Sequence, residues 1–164
     1  MKGDDDFAEL DTLYQKWSPG LIRYLRRNLQ DSGGLAEDVA QDAFLILWRR
    51  WSDVRNHPCP KAWLYTVARH LVIDTLKERS RVLLRGDLPE QLGATEDDPS
   101  DSYVLSVSVR EAIKKLTERQ REAVTLFYFA GFKQSEIATI MNIQRATVAV
   151  LLSQARSRLA GLMG

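Results

Sequence analysis

The chain has 164 residues, 45% of them hydrophobic, with 23 basic and 22 acidic side chains, enough apolar material for one large domain or two small ones. No apolar run approaches the ~20 residues a membrane-spanning helix needs, and Met1-Lys2-Gly3-Asp4-Asp5-Asp6 lacks the apolar core of a signal peptide, so a cytoplasmic protein is expected. The single Cys59 rules out an intramolecular disulfide and fits a reducing compartment.

Residues 7–16 and 19–29 read as two helices, with Pro19 tolerated in the first turn of the second. Ser32-Gly33-Gly34 separates them from a third helix over residues 35–51, whose Glu37 and Asp38 suit the positive end of the helix dipole. Ala40, Phe44, Leu47 and Trp51 recur at spacings of three and four and form a core stripe. Beside it runs a second stripe, Asp38, Gln41, Leu45 and Trp48, which mixes a carboxylate, an amide and two large apolar groups. Aromatic anchors among polar neighbours suit a protein–protein contact. The competing reading is that Trp48 completes the core, and pattern alone leaves both open.

Asn56-His57-Pro58-Cys59-Pro60 breaks the third pattern from a fourth helix over residues 61–79. Leu64, Val67, Ala68, Leu71 and Leu76 are its expected buried positions. Lys61, Trp63, Arg69, Lys77, Arg79 and Arg81 interleave rings with cations, the combination that grips single-stranded nucleic acid by stacking and phosphate contact. A solvated basic face on a core helix is the plainer alternative. Residues 81–103 follow as a linker, with Gly86, Pro89, Gly93 and Pro99 set among acidic residues.

Charge divides the chain in the same places. Residues 1–79 hold 12 basic and 12 acidic side chains, net 0; residues 80–109 hold 2 and 6, net −4; residues 110–164 hold 9 and 4, net +5. A basic module after an acidic connector is compatible with phosphate binding.

The module at 104–164 contains Gln134 to Val148, which reads as a short helix, a tight turn at Asn142 and the start of a second helix. Thr117 or Ser135 is expected to cap a helix. Ile137, Ala138 and Met141 line the first helix of the pair, and Val148, Leu152, Ala155 and Leu159 the second, while Ala138 and Ala146 would allow close approach. Such a helix-turn-helix places its second helix in the major groove of DNA. The fold class is therefore all-α, two small helical domains joined by a flexible acidic linker. His57, Cys59 and His70 are too few to close a zinc site without carboxylates, Asp97-Asp98 reads as solvated linker, and there is no Gly-rich phosphate loop. No enzyme, metal or cofactor is expected.

Several segments together resemble a known family. Ala36-Glu37-Asp38-Val39-Ala40-Gln41-Asp42-Ala43-Phe44 resembles region 2 of the bacterial extracytoplasmic-function sigma factors, and Trp63-Leu64, Ala68-Arg69 and Asp74 are similar to its continuation. Leu116-Thr117-Glu118-Arg119-Gln120-Arg121, Glu136-Ile137-Ala138, Thr147-Val148, Ala155-Arg156 and Leu159 resemble region 4. The resemblance implies a dissociable subunit of bacterial RNA polymerase, with residues 1–80 as region 2 and 104–164 as region 4.

Region 2 would dock on the polymerase core, its β and β′ subunits, and melt the −10 promoter element by capturing a flipped base. Region 4 would bind the β-flap and read the −35 element as duplex. Asp38, Gln41, Leu45 and Trp48 become the core contact. The loop at 52–60, with Asp53, Arg55 and Asn56, becomes the base pocket, and Lys61, Trp63, Arg69, His70, Lys77 and Arg79 the melted-strand contacts. Arg119, Gln144, Arg145, Thr147, Ser153, Gln154, Arg156 and Arg158 become the −35 contacts. An anti-sigma factor that clamps both domains is also implied.

The resemblance is incomplete. His70 stands where members usually have Asn and Lys77 where Arg is usual. Members usually carry a Pro-x-Gly-Thr-Val run followed by cations; here Ala149, Leu151 and Gln154 replace the usual basic residues. Val150 and Leu151 suit either thymine methyls or a further protein. Two rival readings stand beside the sigma factor: a helix-turn-helix regulator that never joins polymerase, and an adaptor that no longer reads DNA.

Overall fold

The computed structural model describes residues 3–29, 34–84 and 107–163, and every element among them is helical. The chain divides into two compact units, Met1–Ala94 and Thr95–Gly164. Residues 85–106, which hold most of the expected linker, lie outside the described residues.

In the first unit, helix α1 is Asp4–Leu29, α2 is Leu35–Arg49, α3 is the short Trp51–Val54, and α4 is Pro60–Leu84. The expected pair of helices before residue 30 is one continuous helix with Pro19 inside it. An interior proline costs about 3 kcal/mol. The apolar spacing of Leu10, Tyr14, Trp17, Leu21, Tyr24 and Leu25 runs through it unbroken, and Leu21 and Leu25 are fully buried. Each such side chain contributes roughly 1.5–3 kcal/mol on burial, so packing outweighs the proline, which sits on the exposed side. Asp4, Asp5 and Asp6 occupy the first turn, where the dipole favours them. Arg26 near the end of α1 pairs with Glu37 in the first turn of α2.

Helices α1, α2 and α4 pack pairwise around Leu21, Leu25, Leu47, Leu64 and Tyr65. Burial pushes the Tyr65 phenol well above its ordinary pKa, opposed in part by Arg23. Helix α2 stops two residues before the expected Trp51. Arg50 leaves helical geometry (φ −108°, ψ 11°) and Trp51 turns inward to 3% exposure as the first residue of α3. The expected loop at 52–60 is thereby shortened, because residues 52–54 belong to that helical turn. Helix α4 starts with Pro60 at its first position and continues through Leu84, past the expected domain end at residue 80. No residue from 69 to 82 is buried. Leu76, expected inside, is therefore 43% exposed on a stretch that outruns the bundle core.

In the second unit, α5 is Val107–Lys114 and α6 is Glu118–Val124, which widens into a π-type turn at Thr125–Phe129. Helix α7 is Gln134–Met141 and α8 is Arg145–Met163. Thr117 caps α6 through a capping box: its Oγ1 accepts from the Gln120 N–H (3.2 Å) and Gln120 Oε1 accepts from the Thr117 N–H (3.3 Å). Ser135 is the second residue of α7 rather than its cap. The residue before α7 is Lys133, whose N–H donates to Glu136 Oε1 at 2.8 Å. Arg121 is buried and donates to the carbonyls of Ile113 (3.4 Å), Lys114 (3.0 Å) and Leu116 (3.1 Å), satisfying the open end of α5.

The turn between α7 and α8 has the expected form. Asn142 adopts the left-handed conformation (φ 55°), and the Ile143 N–H returns to the Ala138 carbonyl at 3.0 Å. These two helices pack together, and Ile137, Ile140 and Met141 on α7 and Val148 and Leu152 on α8 are all buried. Ala146, expected at the crossing, is exposed instead, because the buried line of α8 passes through position 148.

Candidate functional site

Helices α1 and α2 lie side by side, and between them is an open groove of about 240 Å³. Gln41, Leu45 and Trp48 form its α2 side, and Asp38 stands exposed one turn earlier on the same face. Leu45 is 45% and Trp48 39% exposed, so Trp48 does not complete the core. The core stripe beside it is Ala40, Leu47 and Trp51, with Phe44 half-buried as the groove floor.

The α1 side is supplied by Phe7, Leu10, Asp11 and Tyr14. Phe7 meets Trp48 edge-on at 5.4 Å and Tyr14 meets Phe44 at 4.9 Å. Phe7 is itself 57% exposed. A concave surface of aromatic rings with a carboxylate and an amide at its rim is what a protein partner needs for anchoring and register. Sequence reasoning missed the α1 half. Its signal was present as the spacing 7, 10, 11, 14, one face of one helix.

The loop after α3 is organised by its own hydrogen bonds. His57 Nδ1 accepts from the Cys59 N–H at 3.0 Å, and Asn56 Nδ2 reaches the Ser52 carbonyl at 3.5 Å. Asp53 and Asn56 are exposed. Arg55, expected in the base pocket, faces α1: its guanidinium is 3.2 Å from Asp6 and 3.6 Å from Glu9. Two carboxylates already match its charge, so this side chain anchors the loop to α1.

The expected strand contacts on α4 divide between two faces. Trp63, His70 and Lys77 are spaced by seven and share one line of the helix, opposite the buried Ala62, Leu64, Tyr65 and Ala68. Arg81 follows on the same line, exposed. Lys61, Arg69 and Arg79 fall on other lines and are half-buried, and Lys61 sits over the Tyr65 ring at 5.9 Å. The outer line combines one ring with a histidine and two cations, a surface suited to unpaired bases and phosphates.

In the second unit, Gln144, Arg145, Ser153, Gln154, Arg156 and Arg158 are exposed on or just before α8, and Thr147 is half-buried. Arg119 is exposed on α6. Arg156 is held in place: its Nε donates to Tyr128 Oη at 2.7 Å and its guanidinium lies 5.9 Å from the Tyr128 ring centre. Gln154 Oε1 accepts from Gln120 Nε2 at 3.5 Å. Leu151, an expected outward contact, is 8% exposed and belongs to the core, because α8 turns positions 148, 151, 152 and 155 inward together. Among the described residues no cluster of three His, Cys, Asp or Glu side chains could hold a metal ion, and no helix is long and apolar enough to cross a membrane.

Residues 13–82 match the family described as Sigma-70 region 2, and residues 106–159 that described as Sigma-70, region 4. The ECF RNA polymerase sigma factor SigM of Bacillus subtilis is 31% identical over 160 residues, covering 93% of this chain and 94% of SigM. SigL of Mycobacterium tuberculosis is 29% identical over 147 residues, covering 86% and 81%. In solved structures, the sigma factor RpoE of Bartonella quintana, crystallised with the anti-sigma factor NepR, shares the fold with a TM-score of 0.78 at 24% identity, over 94% of this chain and 96% of that one. Two helical units in this order, each matching one sigma region, and a relative alike along nearly its whole length place the chain in the ECF family of RNA polymerase sigma factors.

Proposed function

We propose that this sigma factor seats itself on the bacterial RNA polymerase core through the α1–α2 groove and opens promoter DNA with the surface beside it. Residues 1–84 form the docking and melting domain, and 107–163 the duplex-reading domain. Asp38, Gln41, Leu45 and Trp48 contact the β and β′ subunits, joined by Phe7, Leu10 and Tyr14. The observation that carries this reading is the exposed pair Phe7 and Trp48 at the groove mouth, since two adjacent rings this open to water mark a partner surface.

Capturing a flipped base costs a few kcal/mol. A pocket at the loop, with Asp53 and Asn56, and a stacking and phosphate surface on α4, with Trp63, His70 and Lys77, supply the compensation. Arg69 flanks that surface, Lys61 and Arg79 lie across the helix from it, and Arg55 anchors the loop to α1. In the second unit, Arg145 leads the −35 contacts, with Gln144, Thr147, Ser153, Gln154, Arg156 and Arg158 on α8 and Arg119 on α6.

The family consists of regulatory DNA-binding subunits, so the chain works by directing a reaction that polymerase performs. We place it in the cytoplasm. An anti-sigma factor is a further expected partner, as RpoE was solved with one. Promoter-dependent initiation by purified core polymerase with and without the chain tests the proposal. Start sites that appear only in its presence, at a common upstream sequence, are the expected result. Equal transcription from every template in both reactions would refute it.

A further inference from the structure

We propose that the N-terminal half of α8 reads thymine through its 5-methyl group, with Val150 and Ala149 as the contacting side chains. This rests on the duplex-reading role given above to the second unit, and adds to it the base that is read and the residues that read it.

The buried line of α8 runs through Val148, Leu152 and Ala155. At about 100° per residue, the opposite side presents Ala146, Ala149, Val150 and Ser153. All four are exposed, and Val150 is 53% exposed. With Leu151 in the core, Val150 is the large apolar group on this side of the helix. In a helix-turn-helix the first turns of this helix meet base edges. Among the four bases, thymine alone offers an apolar feature in the major groove. The others present donors and acceptors that alanine and valine would leave unpaired.

Charge points to DNA as the occupant. Arg145 and Arg156 lie along one edge of the neutral strip and Arg158 along the other, all exposed. Arg156 is braced on Tyr128 by the 2.7 Å hydrogen bond and the ring contact. Cations on both sides of a neutral line match phosphate backbones on both sides of a groove floor. A protein partner covering the strip would gain little from that pairing of edges. Small side chains at 146, 149 and 153 also let the helix approach the floor closely, which a methyl contact requires.

The test uses the full-length chain bound to core polymerase. A randomised promoter pool gives the preferred upstream sequence, and the winning duplex is remade with deoxyuridine for each thymidine in turn, which deletes only the methyl. At one or two positions the substitution should weaken binding about fourfold, the value of one buried methyl group. Val150→Ala should remove most of that discrimination. Arg145→Ala should weaken both duplexes and leave their ratio unchanged. Equal binding of every uracil-substituted duplex, or discrimination that survives Val150→Ala, would overturn the inference while the duplex-reading role stands. Assignment of the strip to a protein partner, by loss of such a partner in Val150→Ala with promoter affinity intact, would do the same. A pool that returns no upstream preference would overturn both.

Discussion

The groove between α1 and α2 and the outer face of α8 both leave apolar side chains in water, yet their shapes and charges differ. The groove is concave, lined by Phe7, Tyr14, Phe44 and Trp48, with carboxylates and an amide at its rim. The α8 face is a convex strip of Ala146, Ala149, Val150 and Ser153 between arginines. Large rings in a hollow offer area and anchoring to a protein surface. Small groups between cations offer close approach to a polyanion and little area of their own. Exposed apolar surface alone therefore does not name a partner; its curvature and the sign of the charge around it do.

The largest expected effect lies in the groove. Trp48→Ala should weaken core-polymerase binding by about 2–4 kcal/mol, read by fluorescence titration of labelled chain with core enzyme. It should leave upstream-duplex affinity of the free chain unchanged. If duplex affinity fell equally, the two surfaces would not be independent and the contrast would fail.

Arg121→Met comes next. It removes the donors to three carbonyls at the end of α5, and should destabilise the second unit by about 2–3 kcal/mol. All four tryptophans, Trp17, Trp48, Trp51 and Trp63, lie in the first unit. Denaturation followed by tryptophan fluorescence should therefore stay as in the parent, while the circular dichroism transition begins earlier. Coincident shifts in both signals would show that the units unfold together.

Arg145→Ala should weaken upstream-duplex binding about equally across sequences and reduce its salt slope by about one, as loss of a phosphate contact does. A footprint and salt slope identical to the parent's would remove Arg145 from the duplex contacts.

The smallest effect is expected at Arg55. Its pairs with Asp6 and Glu9 are exposed, so Arg55→Ala should lower first-unit stability by no more than about 1 kcal/mol. The salt dependence of melted-strand binding should not change. A slope reduced by about one would return Arg55 to the DNA contacts of the base pocket.

Much of this was legible in the chain itself. The helix-turn-helix at 134–148 shows in its apolar spacing and in Asn142, and the Thr117 cap in its polar signature, because caps and turns depend on residues a few positions apart. The stripe of Asp38, Gln41, Leu45 and Trp48 was legible as a face, but whether that face was core or surface was not. Burial depends on which helices lie alongside, and only the placement of α1 decided it. The same holds for Phe7, Leu10 and Tyr14, whose partners on α2 are more than 25 positions away.

What the sequence determined by itself was the local grammar: helical periodicity, the Thr117 cap, the turn into α8, two modules and the charge of each. The tertiary structure decided which residues those helices hide. It carried α1 straight through Pro19 because Leu21 and Leu25 gain more by packing than the missing N–H costs. It turned Arg55 toward Asp6 and Glu9, 49 and 46 positions back, and drew Leu151 inward while leaving Val150 outside. Local bonding is written in neighbouring residues, whereas burial and charge pairing are properties of surfaces that meet only once the chain has folded.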